Sequence, residues 1–414
     1  MWKSAPYEFA IGIYTGNSPI AIVPSAHIRN PVFTAEDITD FPARFVADPF
    51  IARDGGNWYL FFEALNAVNQ KGVLAVASSR DGLKWTYKQV VLDEPFHLSY
   101  PQVFQWKTNW YMLPEAGRSG QVRLYRAVDF PWKWQYVTNL MDGAYVDTSI
   151  LNYAGRWWLF TVPRQAGGTL YLFSADQPTG PWKPHPDSPL IVNDHNIARP
   201  GGRMTVYRGQ PIRYAQDDDP TYGNALHAFT VTTLTQSRYA ENAVSPDPIL
   251  SASGTGWNGI GMHQLDPIET APGQWRAYVD GLGWARPERW IDAVFTNNVK
   301  LDGFSVRPAR LRAGGHMLLR FFWSNIPSNA PPPTAFVHIG RNRKEILMQA
   351  DYPLTNTCEC YEQVMRIPTN LPPGKYELRA GLCETAGGRK IPAKGISCSH
   401  EVARIKPFIE IIAP

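Results

Sequence analysis

The chain has 414 residues, 44% of them hydrophobic, and a formal net charge of +4, which allows two or three domains with real cores. Near-balanced charge without a Lys/Arg-rich run excludes a nucleic-acid footprint, and the apolar runs are too short to cross a bilayer. The 15 Trp, 19 Tyr, 36 Pro and 33 Gly, with few Ala/Glu/Lys-rich stretches, favour an all-β class.

In chain order, the opening Met1-Trp2-Lys3-Ser4-Ala5-Pro6-Tyr7 lacks the apolar core of a signal peptide. A cytoplasmic location is therefore expected, although a chain trimmed of a leader would read the same. Next come two short strands, Phe9-Ala10-Ile11-Gly12-Ile13-Tyr14 and Pro31-Val32-Phe33. A repeat then begins. Ala47-Asp48-Pro49-Phe50 leads to Trp58-Tyr59-Leu60-Phe61-Phe62-Glu63, and Ser99-Tyr100-Pro101-Gln102 leads to Trp110-Tyr111-Met112-Leu113-Pro114-Glu115. Val146-Asp147-Thr148-Ser149 leads to Trp157-Trp158-Leu159-Phe160, Ala198-Arg199-Pro200-Gly201 to Pro211-Ile212-Arg213-Tyr214, and a looser copy runs from Met262-His263-Gln264 to Trp275-Arg276-Ala277-Tyr278. Each unit continues into further alternating strands, and a period of roughly 50 residues with four short strands per unit is that of a propeller blade. The fifth unit lacks outer strands downstream, and the N-terminal pair is expected to supply them, which removes an open sheet edge.

The expected organisation is thus a five-bladed β-propeller over residues 1–285, its ring closed by the N-terminal strands, followed by a β-sandwich accessory domain over 286–414. In the latter, Met317-Leu318-Leu319-Arg320-Phe321-Phe322-Trp323, Ala335-Phe336-Val337-His338-Ile339 and Tyr376-Glu377-Leu378-Arg379-Ala380-Gly381-Leu382 read as strands. Residues 327–333 read as a solvated loop. All four cysteines, Cys358, Cys360, Cys383 and Cys398, lie in this part. Cys358 and Cys360 are too close for the usual zinc pair, which leaves ordinary thiols or a disulfide.

In a propeller the innermost strands line the channel, so Asp48, Tyr100, Asp147, Arg199 and His263 are expected to face one another around the axis. Glu63 and Glu115 end very apolar strands, where desolvation raises a carboxyl pKa and suits a proton donor. His97, Arg203, Gln216, Asp217 and Trp257 are expected at the mouth. Each has a structural alternative. Asp48 caps a turn, Asp147 joins an internal hydrogen-bond network, Arg199 pairs with Asp48 or Asp147, His263 is an ordinary buried histidine, and Asp217-Asp218-Asp219-Pro220 is a solvated turn rather than a metal site. No phosphate loop, strand–GxGxxG–helix unit, esterase elbow or His-Glu-x-x-His occurs.

Residues 9–283 resemble the N-terminal domain of the glucosamine inositolphosphorylceramide transferases of plants and its bacterial relatives. The resemblance rests on Ile11-Gly12-Ile13-Tyr14, Phe45-Val46-Ala47-Asp48-Pro49-Phe50, His97-Leu98-Ser99-Tyr100-Pro101, Pro114-Glu115-Ala116-Gly117, Arg123-Leu124-Tyr125-Arg126-Ala127, Ala198-Arg199-Pro200-Gly201-Gly202-Arg203 and Gly261-Met262-His263. It implies glycan or glycolipid assembly, with surface-polysaccharide synthesis expected for bacterial members. In that family the transferase chemistry is credited to a downstream domain, in whose place this chain carries the sandwich. More distantly the chain looks like the arabinanase, xylosidase and invertase-type glycosidase propellers. That likeness implies Asp48 as base or nucleophile and Asp147 as the carboxylate that tunes the acid. It also implies a calcium beside His263, the one cofactor that comes into question. The fourth blade departs from the pattern, with Arg199 where the acid Glu is expected, so Glu115 or Glu63 takes that role.

The expected function is a carbohydrate-active enzyme that cleaves or transfers a glycosyl group in the channel, with Asp48, Glu115 and Asp147 catalytic. Glu63, His97, Tyr100, Arg199, Arg203, Asp217, Trp257 and His263 would bind the glycan, nucleotide-sugar or glycolipid substrate, the two arginines holding an anionic part. A non-catalytic glycan-binding propeller and a scaffold of a polysaccharide-assembly complex stand as alternatives. Oligomeric state is not legible.

Overall fold

The computed structural model describes residues 6–327, 331–342, 345–355, 360–384, 389–394, 398–399 and 402–413. The chain divides into two compact units: Glu8–Asp37 with Arg44–Gly283, and Trp284–Pro414 with Met1–Tyr7 and Ile38–Ala43. Cys358 and the centre of the loop at 327–333 lie outside the described residues. Among the described residues no helix is long and apolar enough to cross a membrane.

In the larger unit, consecutive strands pair antiparallel into five sheets. The first blade is Ala43–Asp54, Asn57–Asn66, Lys71–Ser79 and Thr86–Leu92; the second is Ser99–Trp106, Asn109–Glu115, Gln121–Asp129 and Lys133–Asp142. The third is Tyr145–Tyr153, Arg156–Pro163, Tyr171–Ala175 and Lys183–Pro184. The fourth is Thr205–Tyr207, Gln210–Asp217, Ala225–Leu234 and Tyr239–Ala243, with Leu250–Ser251 added to its third strand. The fifth combines Leu265–Ala271 and Gln274–Trp284 with Tyr7–Ser18 and Ala21–Pro24 from the other end of the chain. The first hairpin turns on Gly55 and Gly56, both at positive φ (54° and 79°), as a two-residue type I′ connection requires.

One expectation about the N-terminus is corrected. The outermost strand of the fifth blade is Ala21–Pro24, because the chain reverses at Pro19-Ile20 and pairs back on Thr15 and Tyr14. Pro31-Val32-Phe33 supplies only an isolated bridge from Phe33 to Ile11.

Each sheet buries an apolar face on the next. Phe61 and Val76 meet Val103 and Met112; Leu113 and Leu124 meet Trp157 and Leu159; Trp158 and Phe160 meet Met204 and Val231. Tyr214 and Leu226 of the fourth blade meet Tyr14 and Val279 of the fifth. Tyr278 of the fifth blade then packs against Trp58 and Trp85 of the first, closing the cycle. Full burial of one such side chain stabilises by about 1.5–3 kcal/mol, so every interface in the cycle is held by several.

Near the axis the blades are stitched by polar groups. Asp280 accepts the Asp48 N–H at 3.1 Å, and Asp48 accepts the Tyr100 N–H at 3.0 Å. Tyr100 Oη lies 2.7 Å from Ser149 Oγ and accepts the Gly202 N–H at 2.6 Å. The Gln102 amide makes two bonds with the Ile150 backbone, each 2.9 Å. Arg203 donates to Asp266 (2.6 and 3.1 Å), to the Val103 carbonyl (2.6 Å) and to the Ile51 carbonyl (3.0 Å), which joins four blades through one guanidinium.

In the smaller unit, one sheet orders Cys360–Arg366, His316–Ser324, Lys300–Arg307, Arg289–Phe295 and Ala393–Lys394. The other orders Arg310–Arg312, Val402–Ile412, Gly374–Cys383, Thr334–Gly340 and Met348–Pro353. Phe295, Leu319 and Trp323 of the first share one core with Val337, Tyr376 and Leu378 of the second, which makes this unit a β-sandwich.

Candidate active site

In the first three blades the inner strand carries a non-glycine residue with positive φ at the same repeat position: Asp48 (55°), Tyr100 (49°) and Asp147 (45°). In the second and third blades this coincides with a break in register, between Ser99 and Gln102 and between Val146 and Ser149. A bulge of this kind re-aims a side chain. The conformation costs of order 1–3 kcal/mol for a bulky residue, and such strain gathers at functional sites. Asp48 and Asp147 thereby reach one cavity of about 460 Å³, within the usual range for a small-molecule site.

The cavity is lined by the carboxylates Asp48, Glu63, Glu115 and Asp147, the imidazoles of His97 and His263, the guanidiniums of Arg118, Arg164 and Arg199, and the rings of Phe9, Phe45 and Tyr222. Behind His263 stands Asp280, fully buried. Its Oδ1 lies 2.8 Å from His263 Nδ1 and accepts the backbone N–H groups of His263 and Gln264. His263 Nε2 lies 3.5 Å from Asp48 Oδ1. Burial opposes a charge on this imidazole, but Asp280, then Asp48 and Asp147, lift it to about 9. It is an imidazolium at neutral pH. Burial pushes Asp48 up to about 7, with Asp147 and Asp280 adding to the rise while His263 and the Tyr100 N–H oppose it.

Glu115 accepts a hydrogen bond from Ser99 Oγ at 3.1 Å and has Arg164 Nη1 3.8 Å from its Oε1. Burial and then Asp147 push it up to about 7 against the pull of Arg199, Ser99 and Arg164. Asp147 Oδ2 is held by Arg199 Nε and Gln216 Nε2, both at 2.6 Å. Arg199 also lies 3.6 Å from Asp218 and sits over the Tyr222 ring at 5.0 Å.

Glu63 and His97 face each other. The Gly72 N–H donates to His97 Nδ1 at 3.0 Å, so the ring proton of the neutral form resides on Nε2, 3.3 Å from Glu63 Oε1. Burial, with Arg118 and Arg164, holds His97 down at about 4. Burial, then Asp48, Glu115 and Asp147, raises Glu63 well above the ordinary carboxyl range. Gly72 is required for the pair: a Cβ there would stand 2.4 Å from the Leu98 carbonyl and 2.6 Å from Glu63 Oε1.

Asp48, Glu63, Glu115 and His263 bind protons more tightly folded than unfolded, while His97, held at about 4, binds its proton less tightly and offsets part of the slope at acid pH. Between about 4 and 7 the unfolded chain has released the protons that folded Asp48 and Glu115 still hold, so stability falls as pH rises through that window. The His263 contribution is complete below 6.5 and lost as pH rises through about 9. The melting temperature of the propeller unit is therefore expected to fall from weakly acidic to alkaline pH. Asp48→Asn should flatten the lower part of that curve and His263→Gln the upper. Curves of unchanged slope would overturn this protonation scheme.

A family model described as "Glucosamine inositolphosphorylceramide transferase 1, N-terminal" matches residues 5–282. The chain belongs to that family. It is 35% identical over 296 residues to glucosamine inositolphosphorylceramide transferase 1 of Oryza sativa subsp. japonica and 32% identical to that of Arabidopsis thaliana. Each alignment takes in 66% of this chain, and the chain spans 40% and 39% of those relatives' length. Among solved structures it is similar to Zg3597, a family 117 glycoside hydrolase of Zobellia galactanivorans (13% identity, TM-score 0.40, covering 69% of this chain and 97% of that one). It is also similar to the α-L-arabinofuranosidase PaAbf62A of Podospora anserina (12% identity, TM-score 0.43, covering 68% and 97%). Superpositions this loose give no residue correspondence.

Seven of the residues expected at the site line the cavity: Asp48, Glu63, His97, Glu115, Asp147, Arg199 and His263. Four do not. Tyr100 is fully buried, with its hydroxyl spent on Ser149 and Gly202. Arg203 is spent on Asp266 and the backbone of neighbouring blades. Asp217 caps its turn at the Asp219 N–H and lies 3.5 Å from His227. Trp257 packs flat on glycines, its ring atoms 2.5 Å from where a Cβ on Gly12 or Gly281 would stand. Gln216 likewise serves Asp147 and the Pro200 carbonyl.

A calcium beside His263 does not fit. Asp48, His263 and Asp280 bring ligand atoms within 4.8 Å of one another, but the ring nitrogens face the two carboxylates and Asp280 is filled by N–H donors. Calcium takes about six to eight oxygens, and here an imidazole hydrogen-bonded to Asp280 and 3.5 Å from Asp48 stands between the two acids instead.

Proposed function

We propose that the cavity holds a glycoside or activated sugar and that its carboxyl groups cleave or transfer a glycosyl group. The observation that carries this is the pair Asp48 and Glu115, buried in one open cavity and both poised at about 7. General acid–base work is most efficient with groups near the operating pH, and two carboxyls flanking a glycosidic bond are the minimum for either stereochemical course. Asp48, beside the imidazolium, acts ionised as base or nucleophile. Glu115 acts protonated as the acid. Asp147, fixed by Arg199 and Gln216, adds to the burial that favours the proton on Glu115. Glu63, whose carboxyl is pushed up by burial and the neighbouring acids, is placed to donate to a sugar hydroxyl, and His97 positions it. The relatives' name speaks of glucosamine and inositolphosphorylceramide, which supports a carbohydrate substrate.

A screen of glycosides and nucleotide sugars against the wild type and the Asp48→Asn/Glu115→Gln double variant tests this. Turnover by the wild type that disappears in the double variant, while binding persists, is the expected result. Binding without turnover in both proteins would overturn it. One observation favours that second outcome, a glycan-binding propeller: Arg199 stands at the opening of the fourth blade and is ion-paired with Asp147 at 2.6 Å.

A further inference from the structure

The mouth of the cavity has two chemically different walls. On one stand Phe9 and Phe45, with ring centroids 5.6 Å apart, and the exposed ring of Tyr222, 5.3 Å from His263. On the other stand Arg118, in the single turn Gly117–Ser119, and Arg164, just past the strand Arg156–Pro163. Both arginines are exposed. The Arg118 side chain has no ion pair or hydrogen bond among the described residues, and Arg164 meets an acid only at Glu115, 3.8 Å away. Their loops share a backbone frame: the Arg164 N–H donates to the Ala144 carbonyl at 2.7 Å, and the Gly143 N–H to Gly120 at 2.8 Å.

The deeper charges of the cavity are already matched. Asp147 has Arg199, Asp48 has His263, and Glu63 faces His97. Two guanidiniums therefore line the mouth of one cavity, Arg118 without an acid partner among the described residues and Arg164 with only the long contact to Glu115. Guanidinium forks suit planar carboxylates and phosphates alike. We infer that Arg118 and Arg164 form an anion subsite and that the sugar taken by the cavity carries a carboxylate or phosphate group. The sugar ring lies toward the aromatic wall and the anionic group toward the arginines. This rests on the cavity being a sugar site.

Calorimetric titration of the full chain with glucuronate, a hexose phosphate, glucose and inorganic phosphate tests it. Both acidic sugars should bind at least about tenfold more tightly than glucose, as one charge-assisted contact would give. The margin should shrink with ionic strength. The Arg118→Ala/Arg164→Ala variant should lose the preference, and the charge-keeping Arg118→Lys/Arg164→Lys variant should retain part of it. Whichever acidic sugar binds better names the anion. Acidic sugars that bind the wild type without turnover would sustain the subsite and sink the catalytic proposal. Inorganic phosphate binding as tightly as the hexose phosphate would sustain the subsite and sink the sugar cavity. Equal binding of neutral and acidic sugars, no binding of any anion, or a preference that survives in the double alanine variant would overturn the inference.

Discussion

Asp48→Asn is expected to lower turnover by about 10²–10⁴-fold without unfolding the chain. The amide keeps an oxygen for the Tyr100 N–H that Asp48 now serves at 3.0 Å and loses the charge and the acceptor that faces His263 Nε2. Asp48 and Glu115 are both pushed up to about 7, and both feel the charge of Asp147. The imidazolium 3.5 Å from Asp48 decides which ionises first. Burial and then Asp147 favour the proton on Glu115. The productive form, Asp48 ionised and Glu115 protonated, therefore peaks near neutrality, and the pH profile of kcat/KM should be a narrow bell. Asp48→Asn leaves too little activity to show an acid limb. Glu115→Gln removes the alkaline limb and should recover most of its lost rate on a substrate whose leaving group needs no protonation. A Glu115→Gln profile that keeps its alkaline limb, or an Asp48→Asn variant of wild-type rate, would remove these roles.

The two Glu residues and Asp280 show what the sequence held and what it concealed. Glu63, Glu115 and Asp280 stand at the same offset from the Trp that opens the second strand of their blades: Trp58, Trp110 and Trp275. The first two are found by comparing repeats. Asp280 follows by the same comparison, but its blade is the loosest copy and the repeat as read from the sequence stops at Tyr278. The inner-strand positions were legible because a polar residue recurs where an apolar one is expected. What the repeat could not supply was direction. Tyr100 shares the positive φ of Asp48 and Asp147, yet its longer side chain runs past the cavity to Ser149 and Gly202. Arg118 and Arg164 lie in loops between strands, where no periodicity marks them. Arg199 and Arg203 share one motif; for Arg199 a pairing with Asp48 or Asp147 is among the readings of the sequence, whereas the Asp266 partner of Arg203, 63 residues away, is not. Ion pairing of that kind is tertiary information.

Arg203 carries the second large effect, on stability rather than turnover. Its guanidinium sits among four blades, paired with Asp266 and bonded to the Val103 and Ile51 carbonyls. Asp266 is 2% exposed and also accepts the Ile51 N–H at 2.5 Å. Arg203→Met removes the cation, leaves that carboxylate buried without its partner, and frees two carbonyls. Breaking a buried pair in this way destabilises by about 3–5 kcal/mol, a fall in melting temperature of order 10 °C for a domain of this size. Much of the penalty lies in the stranded Asp266 rather than in the lost bond. Arg203→Met combined with Asp266→Leu should therefore recover a large part of the stability lost by Arg203→Met alone. Calorimetry of the full chain, with the sandwich transition as internal reference, reads both variants. A single variant that melts within a degree or two of the wild type would show that the axis is held by the apolar faces of the blades alone. A double variant no better than the single would assign the loss to the two carbonyls and not to the acid.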